Sequence, residues 1–288
     1  MEKDVPGCLA EKVEKIVKNK IGANSLFALE TAILKALAAG QGKELWEIIN
    51  EKAKKMPYPV GNCIGGGLHS KSLNFLKPDF QEFLIIPKKD IVEAVLLMNR
   101  GWELCGKKLK LKKAVGKLND ENAWSTSLTN EECLEILDGV REELEKEFGG
   151  EVDIGLDVAA SSFYNGWVYN YKNPQKKLSS EEQLEYIRDL IKRYRIGYVE
   201  DPFYEESFSD FSKLIKDAEG CLIVGDDLTV SNVKRLEKAI IKGSINGIIV
   251  KPNQNGSLLE IKKLIKVAKE EGITTIMSVS YTHLRAHE

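Results

Sequence analysis

Two kinds of hydrophobic pattern alternate along the second half of this chain. Val152–Asp157, Ile196–Glu200, Cys221–Asp227 and Ile245–Lys251 are short runs in which apolar residues follow one another almost without interruption and a charged residue closes the run. Runs of this kind predict strands buried on both faces, as in a parallel sheet. Between and after them the apolar residues recur every three or four positions, which predicts helices over about Ser179–Tyr194, Ser209–Ala218, Asn232–Lys242 and Ser257–Glu271. The first of these opens Ser-Ser-Glu-Glu, a start that can satisfy the free amides of a helix N-terminus. Strand and helix alternating at this pitch predict a βα array. In βα barrels the residues just past the C-terminal end of each strand face one mouth, so Asp157, Glu200, Asp226 and Lys251 are expected to converge.

The first half reads differently. Leu9–Lys55 is helical by pattern, with a helix start at Gly22-Ala-Asn24-Ser25 and a segment, Leu26–Leu37, that is apolar nearly all round and is expected to pack on several sides. The proline-punctuated stretch Met56-Pro57-Tyr58-Pro59-Val60 marks an expected domain boundary. Val60–His69 predicts a strand ending in a glycine loop, Gln81–Pro87 a second strand, and about Asp90–Cys105 and Asn130–Phe148 two successive helices. Ile273–Ser278 predicts a seventh strand. The triplet Gly65-Gly66-Gly67 lacks both the lysine of a Walker loop and the spacing of a dinucleotide fingerprint, so it does not indicate a nucleotide site.

Composition narrows the function. In 288 residues, 42 basic side chains stand against 44 acidic ones, a balance that argues against nucleic acid or an anionic membrane as main partner. No run approaches the ~20 apolar residues of a membrane helix and the N-terminus lacks the order of a signal peptide, so a cytoplasmic location is expected. The five cysteines are odd in number and widely spaced, which indicates neither a disulfide framework nor a zinc site.

Three carboxylates and an amine at one mouth suggest a chemistry. Asp and Glu are hard oxygen ligands suited to Mg2+, and a lysine beside a bound dication has its charged form disfavoured and becomes a usable base. Such a set can remove a proton next to a carboxylate while the metal neutralises the charge that develops. A single Asp after a strand is commonly a helix cap or turn former. Three strand-end carboxylates followed by a lysine are much harder to obtain by chance, whereas Asp201 and Asp227 are read as structural or supporting neighbours.

The blocks Gly155-Leu-Asp157-Val-Ala-Ala-Ser-Ser-Phe-Tyr164, Val199-Glu200-Asp201-Pro202-Phe203, Val224-Gly-Asp226-Asp227 and Val250-Lys251-Pro-Asn-Gln254-Asn-Gly256 resemble the enolases, in order and over about Gly22 to Ser278. The resemblance implies an enolase-type TIM barrel with a strand-strand-helix-helix opening, incomplete here, at residues 58–278. It is preceded at 1–57 by the helical remnant of an α+β N-terminal domain. It implies that Asp157, Glu200 and Asp226 bind Mg2+, with two ions per site in the intact family, and that Lys251 takes the proton from C2 of 2-phosphoglycerate. Glu82, in Gln81-Glu82-Phe83, lies near the leaving hydroxyl. Glu121, in Asp120-Glu121-Asn122, is the general acid, with a pKa expected to be raised. His69 is carried by the glycine loop toward the substrate phosphate. Asn122 stands where the family more often has glycine, and Asn tolerates left-handed backbone. The implied activity is phosphopyruvate hydratase, interconverting 2-phosphoglycerate and phosphoenolpyruvate, in a homodimer.

After Ser278 the family's His-Arg-Ser-Gly-Glu loop is replaced by Val279–Glu288, which reads as a non-native tail similar to a translated sequencing adapter. His283 and His287 within it have helical i, i+4 spacing. A barrel without its closing strand exposes sheet edges, so impaired folding and activity are expected. Two readings stay open: an Mg-dependent lyase, and a non-catalytic enolase-like binding or structural protein. An acid-sugar dehydratase is a weaker rival, because the Glu121 and Gln81-Glu82 motifs are similar to those of enolase itself.

Overall fold

A computed structural model describes residues 5–17, 20–53, 55–70 and 76–278. Val279–Glu288, with His283 and His287, lies outside the described residues, as does part of the polar segment after His69. In chain order the elements are α1 (Val5–Val17), α2 (Ala23–Gly40), α3 (Leu45–Asn50), β1 (Gly61–Gly65), β2 (Glu82–Pro87), α4 (Ile91–Leu111), β3 (Val115–Leu118), β4 (Trp124–Thr126), α5 (Asn130–Phe148), β5 (Val152–Asp157), β6 (Tyr169–Lys172) and β7 (Gln175–Leu178). There follow α6 (Ser180–Tyr194), β8 (Tyr198–Glu200), α7 (Phe208–Asp217), β9 (Leu222–Gly225), α8 (Val233–Lys242), β10 (Gly247–Val250), α9 (Pro252–Asn255), α10 (Leu258–Glu270) and β11 (Thr274–Met277). They fall into two compact units, one of them Met56–Leu228 with Ile241–Asn246.

In that larger unit the strands run in the order β9-β8-β5-β2-β1-β4-β3. β5, β8 and β9 are parallel, as their continuous apolar runs predict, and β2 lies antiparallel to both of its neighbours, β1 and β5. The opening is therefore strand, strand, helix, helix, with the small β3–β4 antiparallel pair set between α4 and α5. Ile154 and Leu156 on β5, Phe83 and Ile85 on β2, and Val199 and Ile223 on the parallel strands are fully buried. On α5 the residues Leu134, Leu137, Val140 and Leu144 are buried at helical spacing, each contributing on the order of 1.5–3 kcal/mol.

The helices start where polar residues can stop them. Thr129 and Glu132 form a reciprocal capping box at α5, and Ser179 and Glu182 do so at α6, each pair answering amides that the helix leaves unpaired. Asp90 accepts from the amides of Val92 and Glu93 at α4. That helix continues to Leu111, one and a half turns past the expected end at Cys105, because Gly106–Leu111 retains the apolar stripe and Leu109 is buried.

In the other unit, β10 and β11 are parallel, with Gly247 opposite Thr274 and Val250 opposite Met277. The expectation that α2 packs on several sides is corrected. Its buried residues, Leu26, Glu30, Leu34 and Ala38, form one stripe four residues apart, and Leu29 is 37% exposed. Alanine tolerates either side of a boundary, so a run rich in it does not by itself define a buried surface. Buried Glu30 accepts the amide of Leu258, at the start of α10, at 2.9 Å.

Candidate active site

The carboxylates of the larger unit are placed by strand register. Asp157 ends β5 opposite Glu82 of the antiparallel β2 and opposite Glu200 of the parallel β8. Asp226 follows β9, the parallel neighbour of β8. Asp157, Asp201 and Asp226 are all buried. Asp157 receives the side-chain amide of Gln81 at 2.9 Å, and the Tyr198 hydroxyl donates to Glu200 Oε2 at 2.5 Å.

Asp201 is held differently. Its backbone is left-handed, φ 41°, and its two carboxylate oxygens accept the consecutive amides of Asp226, at 3.1 Å, and Asp227, at 2.6 Å. Asp201, Asp226 and Asp227 each bring an oxygen within 4.8 Å of the others. Because both Asp201 oxygens already bind amides, its geometry is that of a support that fixes the backbone of Asp226.

Burial pushes the Asp157 carboxyl well above the ordinary range, and the charges of Glu82, Asp201 and Asp226 push it further. Burial likewise raises Asp201, helped by Asp226, Asp227 and Glu200. Like charges drawn together out of water repel, and a dication is what relieves such repulsion. Asp157, Glu200 and Asp226 offer the hard oxygens that suit a divalent cation, although among the described residues the group of strand-end carboxylates with oxygens within 4.8 Å of one another is Asp201, Asp226 and Asp227.

A second cluster forms around His69. The single 3-10 turn Gly67–His69 follows β1, and its entry at Gly66 passes so close to the carbonyls of Phe80 and Pro78 that a Cβ there would lie 2.4 and 2.6 Å from them. His69 Nδ1 lies 2.9 Å from Glu121 Oε2 and 3.6 Å from Glu82 Oε1. Asn62 donates to the same Glu121 oxygen at 3.1 Å, and the Glu121 amide is fixed by Asn119 Oδ1 at 3.0 Å. Asn122 takes the left-handed conformation, φ 61°.

The expected upward shift of Glu121 is corrected. Burial raises its carboxyl, but the contacts with His69, Glu82 and Asn62 together outweigh burial and hold it below the ordinary value.

Lys251 belongs to the smaller unit, where it is buried ahead of α9 and its amide donates to Ser231 Oγ at 2.8 Å. The structure thus groups His69, Glu82 and Glu121 in one cluster, and Asp157, Glu200 and Asp226 in a field shared with Asp201. Sequence reasoning missed the supports Gln81, Tyr198 and Asn62. A Gln or Tyr adjacent to a motif carboxylate was the available signal.

The profile of the family described as "Enolase, C-terminal TIM barrel domain" matches residues 53–283. Proteins named Enolase are similar over 90% of the chain: that of Pyrobaculum aerophilum at 41% identity over 267 residues, that of Methanosphaera stadtmanae at 38% over 266 and that of Archaeoglobus fulgidus at 35% over 263. The chain spans 62% of the length of the first and 64% of the other two. Matched to that domain across its barrel strands and related to these proteins along most of its length, the chain belongs to the enolase family of lyases.

Proposed function

We propose that the chain carries the barrel site of a phosphopyruvate hydratase, which dehydrates 2-phosphoglycerate to phosphoenolpyruvate and reverses the reaction. The observation that supports this most is the placement of Asp157, Glu200 and Asp226 at or just past the C-terminal ends of three neighbouring parallel strands, in a domain that matches the family. The non-catalytic binding reading draws no comparable support, since the relatives compared carry the name of the enzyme.

In this reading Asp157, Glu200 and Asp226 hold Mg2+, which when bound neutralises charge developing on the substrate carboxylate. Gln81 and Tyr198 keep two of these carboxylates aimed. Lys251 Nζ takes the proton from C2. The C3–O bond then breaks, and Glu121 gives its proton to the departing hydroxyl, which leaves as water. Glu82 positions that acid, and His69 serves the phosphate. Held low as it is, Glu121 must gain its proton on substrate binding, and the negative charge of a phosphorylated carboxylate arriving beside it acts in that direction. Two Mg2+ per site, a homodimer and a cytoplasmic setting extend the same reading; among the described residues no helix is long and apolar enough to cross a membrane.

The test is formation of phosphoenolpyruvate from 2-phosphoglycerate by the purified chain with Mg2+, beside Glu121→Gln and Lys251→Ala. Turnover that each substitution lowers by about 100-fold or more supports the assigned roles. Mg2+ binding with no turnover by the unsubstituted chain would return the binding-protein reading to the front.

A further inference from the structure

We propose that Asn165 is a self-modification site, at which the chain closes the asparagine side chain onto the next backbone amide and converts it to aspartate and isoaspartate without an enzyme. The sequence contains three Asn-Gly steps, Asn165-Gly166, Asn246-Gly247 and Asn255-Gly256. A following glycine favours this closure, because it places no Cβ in the way of its own nitrogen. The structure separates the three steps.

Asn165 and Gly166 are exposed, in the turn that leads into β6, where Tyr164 bridges to Tyr169. The side-chain carbonyl Oδ1 of Asn165 accepts the amide of Trp167 at 3.1 Å and that of Val168 at 2.9 Å. Two N–H groups on one carbonyl oxygen are the arrangement that stabilises an oxyanion. They draw electrons away from Cγ and stand ready to hold the negative charge that forms on Oδ1 when the Gly166 nitrogen adds. Gly166 takes left-handed backbone, φ 95°, and among the described residues its amide has no acceptor, so the nucleophile breaks no hydrogen bond to react. The reacting groups are adjacent in the chain, which makes the ring closure intramolecular.

The other two steps are locked. Asn246 accepts the amide of Ile223 at 2.6 Å and donates to the Cys221 carbonyl at 3.1 Å, while Gly247 is buried in β10. Asn255 donates to the Ser231 carbonyl at 2.9 Å and accepts the amide of Ser257 at 3.2 Å. The nitrogen of Gly256 is committed to the Pro252 carbonyl at 2.7 Å.

In the reaction the Gly166 nitrogen loses its proton to water or hydroxide, and its electron pair forms the bond to Cγ. The tetrahedral oxyanion collapses, the Cγ–Nδ2 bond breaks, and the nitrogen takes a proton and leaves as ammonia. Water then adds to the succinimide and opens it at either carbonyl. The net change is one water in and one ammonia out, with a neutral amide replaced by a carboxylate. That carboxylate would appear on the wall of a cleft of about 810 Å3 that Lys77 and Lys172 also line, so the two ammonium groups would attract it.

The test ages the full chain in mildly alkaline buffer, beside the same chain held unfolded in urea. Digested peptides are read by mass spectrometry, which detects the gain of one mass unit and tells isoaspartate from aspartate by electron-transfer fragmentation. In urea the three sites differ little and should convert at similar rates. In the native chain Asn165 should convert at least about 10-fold faster than Asn246 or Asn255, and no more slowly than it does in urea. Asn165→Gln, whose longer side chain needs a larger ring, should remove the mass gain from that peptide. Equal native rates at the three sites, or native conversion of Asn165 slower than in urea, would overturn the proposal. Neither result depends on whether the chain turns over 2-phosphoglycerate.

Discussion

The carboxylate of Asp201 has both oxygens on the consecutive amides of Asp226 and Asp227, so it can set the direction of the Asp226 side chain without reaching an ion itself. An amide in its place accepts from one of these groups and turns its own N–H2 toward the other. Asp201→Asn is therefore expected to weaken divalent-cation binding by ~10–100-fold, the usual cost of losing an outer support. Asp79 provides the control, since it grips the amides of Lys172 and Asn173 in the same two-handed way at 2.8 and 3.0 Å. Asp79→Asn should lower the melting temperature and leave cation affinity alone. Equal affinity in Asp201→Asn and the unsubstituted chain, read by calorimetry, would make Asp201 a folding residue only. This support was only half legible: the sequence marks Asp201 as a neighbour of Glu200, but nothing in it reveals which amides a buried carboxylate will find.

At the scale of elements, legibility followed hydrophobic contrast. Val152–Asp157 and Leu222–Gly225 stand out because both faces of their strands are buried, and α6 because Ser179 and Glu182 announce its start. Ser179→Ala should cost about 1 kcal/mol, measurable as a shift of the urea midpoint at constant slope. The β6–β7 hairpin was missed, although Tyr169 and Tyr171 point inward and Asn170 and Lys172 do not. With tyrosine the only large apolar residue of β6, that alternation carries little contrast. The antiparallel setting of β2 is not written locally either, because it depends on its partners β1 and β5 and not on its own residues. The glycine loop was legible as a loop, but its tightness was not. Gly66→Ala would drive a Cβ against two backbone carbonyls, and is expected to destabilise by about 1–3 kcal/mol and to displace His69. A wild-type unfolding midpoint in this variant would show that the loop moves aside freely.

Over the whole chain, the cysteines test burial independently of the site. Cys8 is exposed, whereas Cys63, Cys105, Cys133 and Cys221 are buried. One thiol is expected to react rapidly with a thiol reagent in the native chain and all five after denaturation. Burial, with the charge of Asp153, pushes the Cys221 thiol from 9.0 up to about 12. The folded form thus keeps a proton that the unfolded form loses, and this contribution to stability is complete below pH 9.0 and lost as pH rises toward about 12. Cys221→Ala should flatten that part of the stability profile relative to the parent, and identical slopes would contradict the burial. The family was legible from motifs because strand-end chemistry is local in sequence. The lowered carboxyl of Glu121 was not, because it arises from His69, Glu82 and Asn62, which come from other segments.

The measurement that bears most directly on the strand-end carboxylates is calorimetric titration of Mg2+ into the purified chain and into Asp226→Asn. Saturable binding by the parent, weakened at least tenfold by the substitution, is the predicted result. Failure of the parent to bind Mg2+, or equal binding by both proteins, would contradict the assignment of Asp157, Glu200 and Asp226 as a metal site.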